Sequence, residues 1–232
     1  MATPAGEQII TEIASKTDTV LLGMSCGKDS IAAWLAIKPH FRRIVPYHMH
    51  LVPGLEFVER GIRHCEEIMG QHIIRIPHPS FYRLLNNCVF QCPSRRRIIV
   101  SAALPNFTYA DAQQGIRDQL GLGDECYTAI GVRAADSPHR LMAIRKYGAI
   151  SRRKKEFFPV WDWNKARLVG AISEAGIKLP AEYRYFGRSF DGLDYRFLAP
   201  IRKFFPRDYA TILEWFPLAD LEIKRREFGQ LD

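Results

Sequence analysis

Apolar and polar positions fall in blocks along the first half of this chain. Val20-Leu21-Leu22 is a short apolar run, Ser25-Cys26-Gly27-Lys28-Asp29-Ser30 is polar, and Ile31-Ala32-Ala33-Trp34-Leu35-Ala36-Ile37 is apolar again. The pattern reads as strand, tight turn and helix. Pro39 ends that helix, and residues 44–50 read as a second strand, although Pro46 lacks a ladder donor. After a turn at Val52-Pro53-Gly54, the residues Val58, Ile62, Cys65 and Met69 share one helical face. Gly70 stops this helix and 72–76 form a third strand. Further on, 81–87 look helical, 88–94 a loop, 109–120 helical up to Gly121, and 127–130 a short strand ending at Gly131. Asn164 is a good N-cap for a helix marked by Leu168, Ile172 and Ala175 and closed by Gly176. Tyr209, Ile212, Leu213 and Phe216 mark a late helix, with another from 218 onward.

Strands alternating with helices imply βαβ units. The expected fold is therefore α/β, Rossmann-like, with a mostly parallel sheet, helices on both faces and a helical C-terminal extension. The expected organisation is a nucleotide-binding α/β domain over 1–158 and a mostly helical extension over 159–232 packed on it; a single domain covering both is the alternative. In such sheets ligands collect at the carboxyl ends of the strands.

Composition narrows the class. Apolar residues make up 47% of the 232 positions, enough for a sizeable core, and no run approaches a membrane span. Residues 1–16 lack a basic stretch followed by an apolar one, so no secretory signal is expected. Five irregularly spaced cysteines argue against a disulfide framework and for a reducing cytoplasm. A net charge of +8 favours anionic partners, either nucleotides or DNA or RNA. The clusters Arg95-Arg96-Arg97 and Arg152-Arg153-Lys154-Lys155 are the candidates for contacting a polynucleotide.

The polar turn carries the chemistry. A helix starting there presents its first backbone N–H groups, and its positive dipole end, to an oxyanion. Gly27 allows close approach, Lys28 adds a point charge, and Ser25 and Ser30 offer hydroxyls. The turn matches neither the Walker pattern nor Gly-x-Gly-x-x-Gly. A second constellation, Gly131-Val132-Arg133-Ala134-Ala135-Asp136-Ser137-Pro138-His139-Arg140, directly follows a predicted strand. Arg133 and Arg140 can each donate a planar fork of N–H groups to an oxyanion.

The turn closely resembles the Ser-Gly-Gly-x-Asp-Ser loop of the PP-loop ATP pyrophosphatases, in the lysine-bearing form used by phosphoadenylyl-sulfate (PAPS) reductases. Residues 131–140 resemble the Gly-x-Arg-x-x-Glu/Asp-Ser-x-x-Arg element of the same family. Pro159-Val160-Trp161-Asp162-Trp163 resembles its Pro-Ile-x-Asp-Trp segment, and Gly54-Leu55-Glu56-Phe57 stands at its turn after the second strand. The resemblance spans about residues 18–190 and implies an adenine nucleotide alpha hydrolase fold. By position it implies that Ser25, Cys26, Gly27, Lys28, Asp29 and Ser30 hold the phosphate end of an adenine nucleotide. Gly131, Arg133, Asp136, Ser137 and Arg140 would meet it from the other side, and His50 would lie against the adenosine. Lys28, Asp29 and Arg133 are the implied catalytic residues. ATP, PAPS or its unphosphorylated analogue APS is the implied ligand, with Mg²⁺ expected; Asp29 holds that ion directly or through water, or fixes the loop.

Two departures shape the expectation. Cys26 replaces the family's first glycine; a side chain is accommodated there at negative φ and strained at positive φ. The reductases attack with a cysteine in a C-terminal tail, and this sequence has no cysteine after Cys126. Only Cys88, Cys92 and Cys126 remain as zinc or iron–sulfur candidates, and a cluster is not expected. The resulting expectation is an enzyme that splits ATP into an adenylate and pyrophosphate. The alternatives are a sulfonucleotide reductase with an atypical thiol, a nucleic-acid-modifying protein of sulfur-transfer type, and a non-catalytic nucleotide sensor.

Overall fold

The computed structural model describes residues 3–229. Chain order runs α1 (Gly6–Ala14), β1 (Thr19–Gly23), α2 (Lys28–Ile37), β2 (Arg43–His50), α3 (Glu56–Met69), β3 (Ile74–Pro77), α4 (Pro79–Asn86), α5 (Arg96–Ala102) and α6 (Tyr109–Gln119). It continues with β4 (Thr128–Ile130), α7 (Pro138–Tyr147), β5 (Ile150–Ser151), β6 (Glu156–Phe157), α8 (Lys165–Glu174), α9 (Tyr183–Phe186), α10 (Tyr195–Phe204), α11 (Pro206–Trp215) and α12 (Asp220–Phe228).

The strands form one six-stranded sheet in the order β3-β2-β1-β4-β6-β5. β1 runs parallel to both β2 and β4, with Gly23 opposite Tyr47 and Ile130, and β4 runs parallel to β6. β5 and β6 pair antiparallel, as a hairpin through 152–155. Val20, Leu21 and Leu22 are each fully buried. Successive strand residues point to opposite faces, so both faces of β1 are covered, as the α/β expectation requires. Pro46 is tolerated for a geometric reason. The Tyr47 carbonyl accepts from Met24 N–H on the β1 side, and the His50 carbonyl from His78 N–H on the β3 side. By alternation the Pro46 nitrogen faces the β3 side, at a level before β3 has begun.

The chain divides into two units. The first comprises the residues up to His48, then Cys65–Arg75 and Ala110–Leu179. Its core gathers Ile9 and Ile13 of α1, Val20 to Leu22 of β1, Ile31 and Ile37 of α2 and Phe157 of β6, and α2 packs on α8. The second comprises Met49–His64, Ile76–Tyr109 and the residues from Pro180 onward. Its core is helical and aromatic: Phe57, Phe197, Leu198, Ile201, Ile212 and Phe216 are almost fully buried. Phe57 lies 5.2–5.6 Å, ring centre to ring centre, from Phe186, Phe190 and Phe205. Asp208, at the start of α11, accepts from the Glu56 and Phe57 N–H groups at 2.7 and 3.1 Å and so closes the N-terminus of α3. The chain thus passes between units at 48/49, 64/65, 75/76, 109/110 and 179/180, whereas the sequence pattern suggested a division at 158. No helix among the described residues is long and apolar enough to cross a membrane.

Candidate functional site

β1 has β2 on one side and β4 on the other, so the segments leaving the carboxyl ends of β1 and β4 diverge. This is the switch point where open α/β sheets form a crevice. Both sequence constellations lie on it, within the first unit.

The entrance to the β1–α2 loop is held on both backbone groups of one residue. Met24 N–H donates to the Tyr47 carbonyl at 2.8 Å, and the Met24 carbonyl lies 2.9 Å from His48 Nδ1. A carbonyl only accepts, so Nδ1 of His48 carries the hydrogen. Cys26 follows at φ +60°, the left-handed region that a glycine enters without strain. The condition under which a side chain at this position is strained is therefore met. Gly27 is the N-cap of α2, and the first helical bond runs from Ile31 N–H to the Gly27 carbonyl at 3.1 Å. The geometry of a first turn directs the N–H groups of Lys28, Asp29 and Ser30 out of the helix toward the loop. Ser30 is buried; its hydroxyl donates to the Gly27 carbonyl at 3.0 Å and lies 3.2 Å from that of Ser25, which is exposed. Ser30 thus braces the loop rather than offering its hydrogen outward.

The second constellation packs directly on the first. A Cβ on Gly131 would sit 2.4 Å from the Asp29 carbonyl oxygen and 2.8 Å from the Ser30 nitrogen, so no side chain fits there. Arg133 is 4% exposed and donates through Nε to Asp29 Oδ1 and through a terminal nitrogen to Asp136 Oδ1, both at 2.6 Å. Lys28 Nζ meets Asp29 Oδ2, and Arg140 meets Asp136 Oδ2, both at 2.7 Å. The result is a chain of alternating charge, Lys28–Asp29–Arg133–Asp136–Arg140, with one positive charge in excess. The expected oxyanion fork of Arg133 is turned onto two carboxylates of its own chain. Arg140 stays half exposed at the open end. Ser137 accepts from Arg140 N–H at 3.2 Å and caps α7. The third matching segment is tied in as well, since Ala134 N–H donates to the Trp161 carbonyl at 2.8 Å. Asp162 accepts from Gly6 N–H at the start of α1, where a carboxylate meets the positive helix end.

His50 belongs to the second unit, as the last residue of β2. Burial pushes its imidazole down from the usual histidine range, partly offset by Glu59. A cluster that the sequence pattern does not mark stands beside it. His78 caps α4 by accepting at Nδ1 from Ser80 N–H at 2.9 Å, so its hydrogen sits on Nε2 and is donated to the Tyr109 hydroxyl at 3.0 Å. Burial, then the Arg83 charge, pushes the His78 imidazole down, and burial pushes the Tyr109 phenol up. The only sequence signal was His78-Pro79, a cap residue before a proline at the first helical position.

Cys88 and Cys92 are partly exposed in the second unit and Cys126 is buried in the first, where burial pushes its thiol up. Among the described residues, no group of three or more His, Cys, Asp and Glu side chains is arranged to hold a metal. Both Asp29 oxygens accept from cationic side chains, so the donor set here does not fit a directly bound Mg²⁺. Of the basic clusters, Arg95, Arg96 and Arg97 are exposed at the start of α5. Residues 152–155 form the β5–β6 turn, with Arg152 near Glu12 and Lys155 on Asp124.

No protein-family model matches the chain. No curated protein matches it either. Among solved structures, the chain is similar to the U34-tRNA thiolase NcsA from Methanococcus maripaludis with its 4Fe–4S cluster. That likeness covers 92% of this chain and 78% of the other, at 11% identity and a TM-score of 0.44. The α/β fold is read from the strand order and register above, independently of this likeness.

Proposed function

We propose that the chain is an adenine-nucleotide-binding enzyme of the PP-loop, PAPS-reductase-like kind that adenylates a substrate. In this reaction an acceptor oxygen or nitrogen bonds to the α-phosphorus of ATP. The bond from that phosphorus to the bridging oxygen breaks, and pyrophosphate leaves with the electron pair. The observation that carries the reading is the docking of 131–140 onto the first turn of α2 through Gly131 and Arg133. It fixes in place the helix end that an oxyanion would meet. The amides of Lys28, Asp29 and Ser30 and the Lys28 ammonium would bear the charge that grows on the departing pyrophosphate. Arg133 acts as a positioning residue, holding Asp29 and through it the loop. The reading is tested by incubating the full chain with Mg²⁺-ATP and candidate acceptors and assaying pyrophosphate. Lys28→Ala should weaken nucleotide binding by about 1–3 kcal/mol. Absence of both ATP binding and pyrophosphate release sinks it.

A second reading, modification of a nucleic acid, is favoured by α5. Its two leading arginines, Arg96 and Arg97, and Arg95 just before it are exposed, and Ile98 and Val100 are 70% and 66% exposed. It is compatible with the first if the acceptor is a nucleobase. Binding to RNA or DNA that falls steeply with salt supports it, and no binding at low salt removes it.

A further inference from the structure

The second unit contains a cleft of about 340 Å³. One wall is α4, which contributes Ser80, Arg83 and Leu84; the segment before α10 contributes Asp191 and Asp194, and α12 contributes Glu222. In a chain of net charge +8, three carboxylates against one guanidinium line this space. The counter-ions of those carboxylates are surface groups. Arg188, Arg196 and Arg225 pair with Asp191, Asp194 and Glu222, and their side chains are 51%, 67% and 71% exposed. Asp194 is the most engaged of the three: it caps α10 by accepting from Arg196 N–H and meets the Arg196 guanidinium with both oxygens. A carboxylate has about four lone-pair sites, so all three keep acceptor capacity toward the cleft. Arg83 donates to the Ser80 hydroxyl at 2.7 Å, and a guanidinium has further N–H donors in the same plane. Apolar surface from Leu84 and Phe90 completes the lining.

The lining therefore offers cation acceptors, an anion fork and an apolar wall in one amino-acid-sized space. A simple amine would leave the remaining Arg83 N–H donors unused, and a simple carboxylate would leave the acceptor oxygens of Asp191, Asp194 and Glu222 unused. We propose that this cleft binds a free α-amino acid with an apolar side chain. Its ammonium meets the Asp191, Asp194 and Glu222 side, its carboxylate meets Arg83, and its side chain covers Leu84 and Phe90. The inference goes beyond the adenylation reading and stands without it.

The test is calorimetric titration of the full chain with three probes: L-leucine, 3-methylbutylamine, which lacks the carboxylate, and 4-methylpentanoate, which lacks the amine. Saturable leucine binding is expected, with the amine weaker and the acid weakest. Asp191→Asn should lower leucine affinity about ten-fold or more, and Arg83→Gln should reduce it to that of the amine. Both residues are exposed, and melting curves check that each variant folds. Glu222→Gln serves as a second variant on the carboxylate side. The proposal is overturned if leucine does not saturate, if 4-methylpentanoate binds as well as leucine, or if the variants bind leucine unchanged. ATP titrated into the same samples reports the nucleotide site separately, so failure of one reading is distinguishable from failure of the other.

Discussion

Arg133 Nε lies 2.6 Å from Asp29 Oδ1, although 104 residues separate the two in sequence. This contact joins the loop after β1 to the segment after β4. Arg133 is buried, and removing a buried member of a charge network leaves its partners uncompensated. Arg133→Met should therefore destabilise the first unit by about 3 kcal/mol, the lower end for buried pairs, because Asp29 and Asp136 keep 26% and 20% exposure. Chemical denaturation measures this, and a change below about 1 kcal/mol would show that the network contributes little.

Gly131 tests the backbone half of the same junction. Gly131→Ala forces a carbon against the Asp29 carbonyl, and overpacking of this kind costs about 1–3 kcal/mol. Gly123→Ala, where nothing lies within 4 Å, is the control and should be close to neutral. Equal denaturation midpoints for the two variants would contradict the packing seen here.

Cys26 carries the strain of a positive φ. Cys26→Gly removes it but loosens the unfolded chain, so the net gain should be up to about 1 kcal/mol. Cys26→Val, β-branched, should lower stability instead. Urea midpoints of the three proteins should rank glycine, cysteine, valine, and any other order counts against the left-handed loop.

Glu66 gives a pH dependence with a definite sign. Arg75, at 2.7 and 3.1 Å, and the Ile73 N–H hold its carboxyl down from 4.5 to about 2. A depressed folded value stabilises above the unfolded value and loses that contribution as pH falls through the folded one. Glu66→Gln should therefore be less stable than the parent at pH 7. The gap should narrow below about 4.5 and close near 2. A gap that stays constant across that range would mean that the carboxylate charge is not what stabilises.

Much of the first unit is legible in the sequence because its strands are buried on both faces. Val20 to Leu22 then read as a continuous apolar block, bounded by turn residues. Elements without such a block escaped. α5 has no buried residue, so its Ile98 and Val100 make no stripe toward a core. α10 carries Pro200 inside it, and β5 and β6 are two residues each. In α1, Ile9, Ile10 and Ile13 are buried, but they sit in a nine-residue helix too short for a sustained periodic stripe. At the candidate site the residue types were legible but their partners were not. Arginines spaced as Arg133 and Arg140 suggest an anion. Whether that anion is a ligand or a carboxylate of the same chain is set by tertiary distance, which local spacing does not encode. Likewise, His48 gives no periodic signal that its ring meets the Met24 carbonyl.

The weaving of one polypeptide through two units bears on how the protein is made. Leaving the ribosome from its amino end, the nascent chain supplies β1 and α2 early, but the first unit lacks members until Leu179 has been added. By then Met49–His64 and Ile76–Tyr109 are already out, still short of α10 to α12. Each unit must wait with apolar surface uncovered, a state that invites aggregation and chaperone capture. No cut at a single point releases either unit whole, so domain-by-domain expression is closed to this protein.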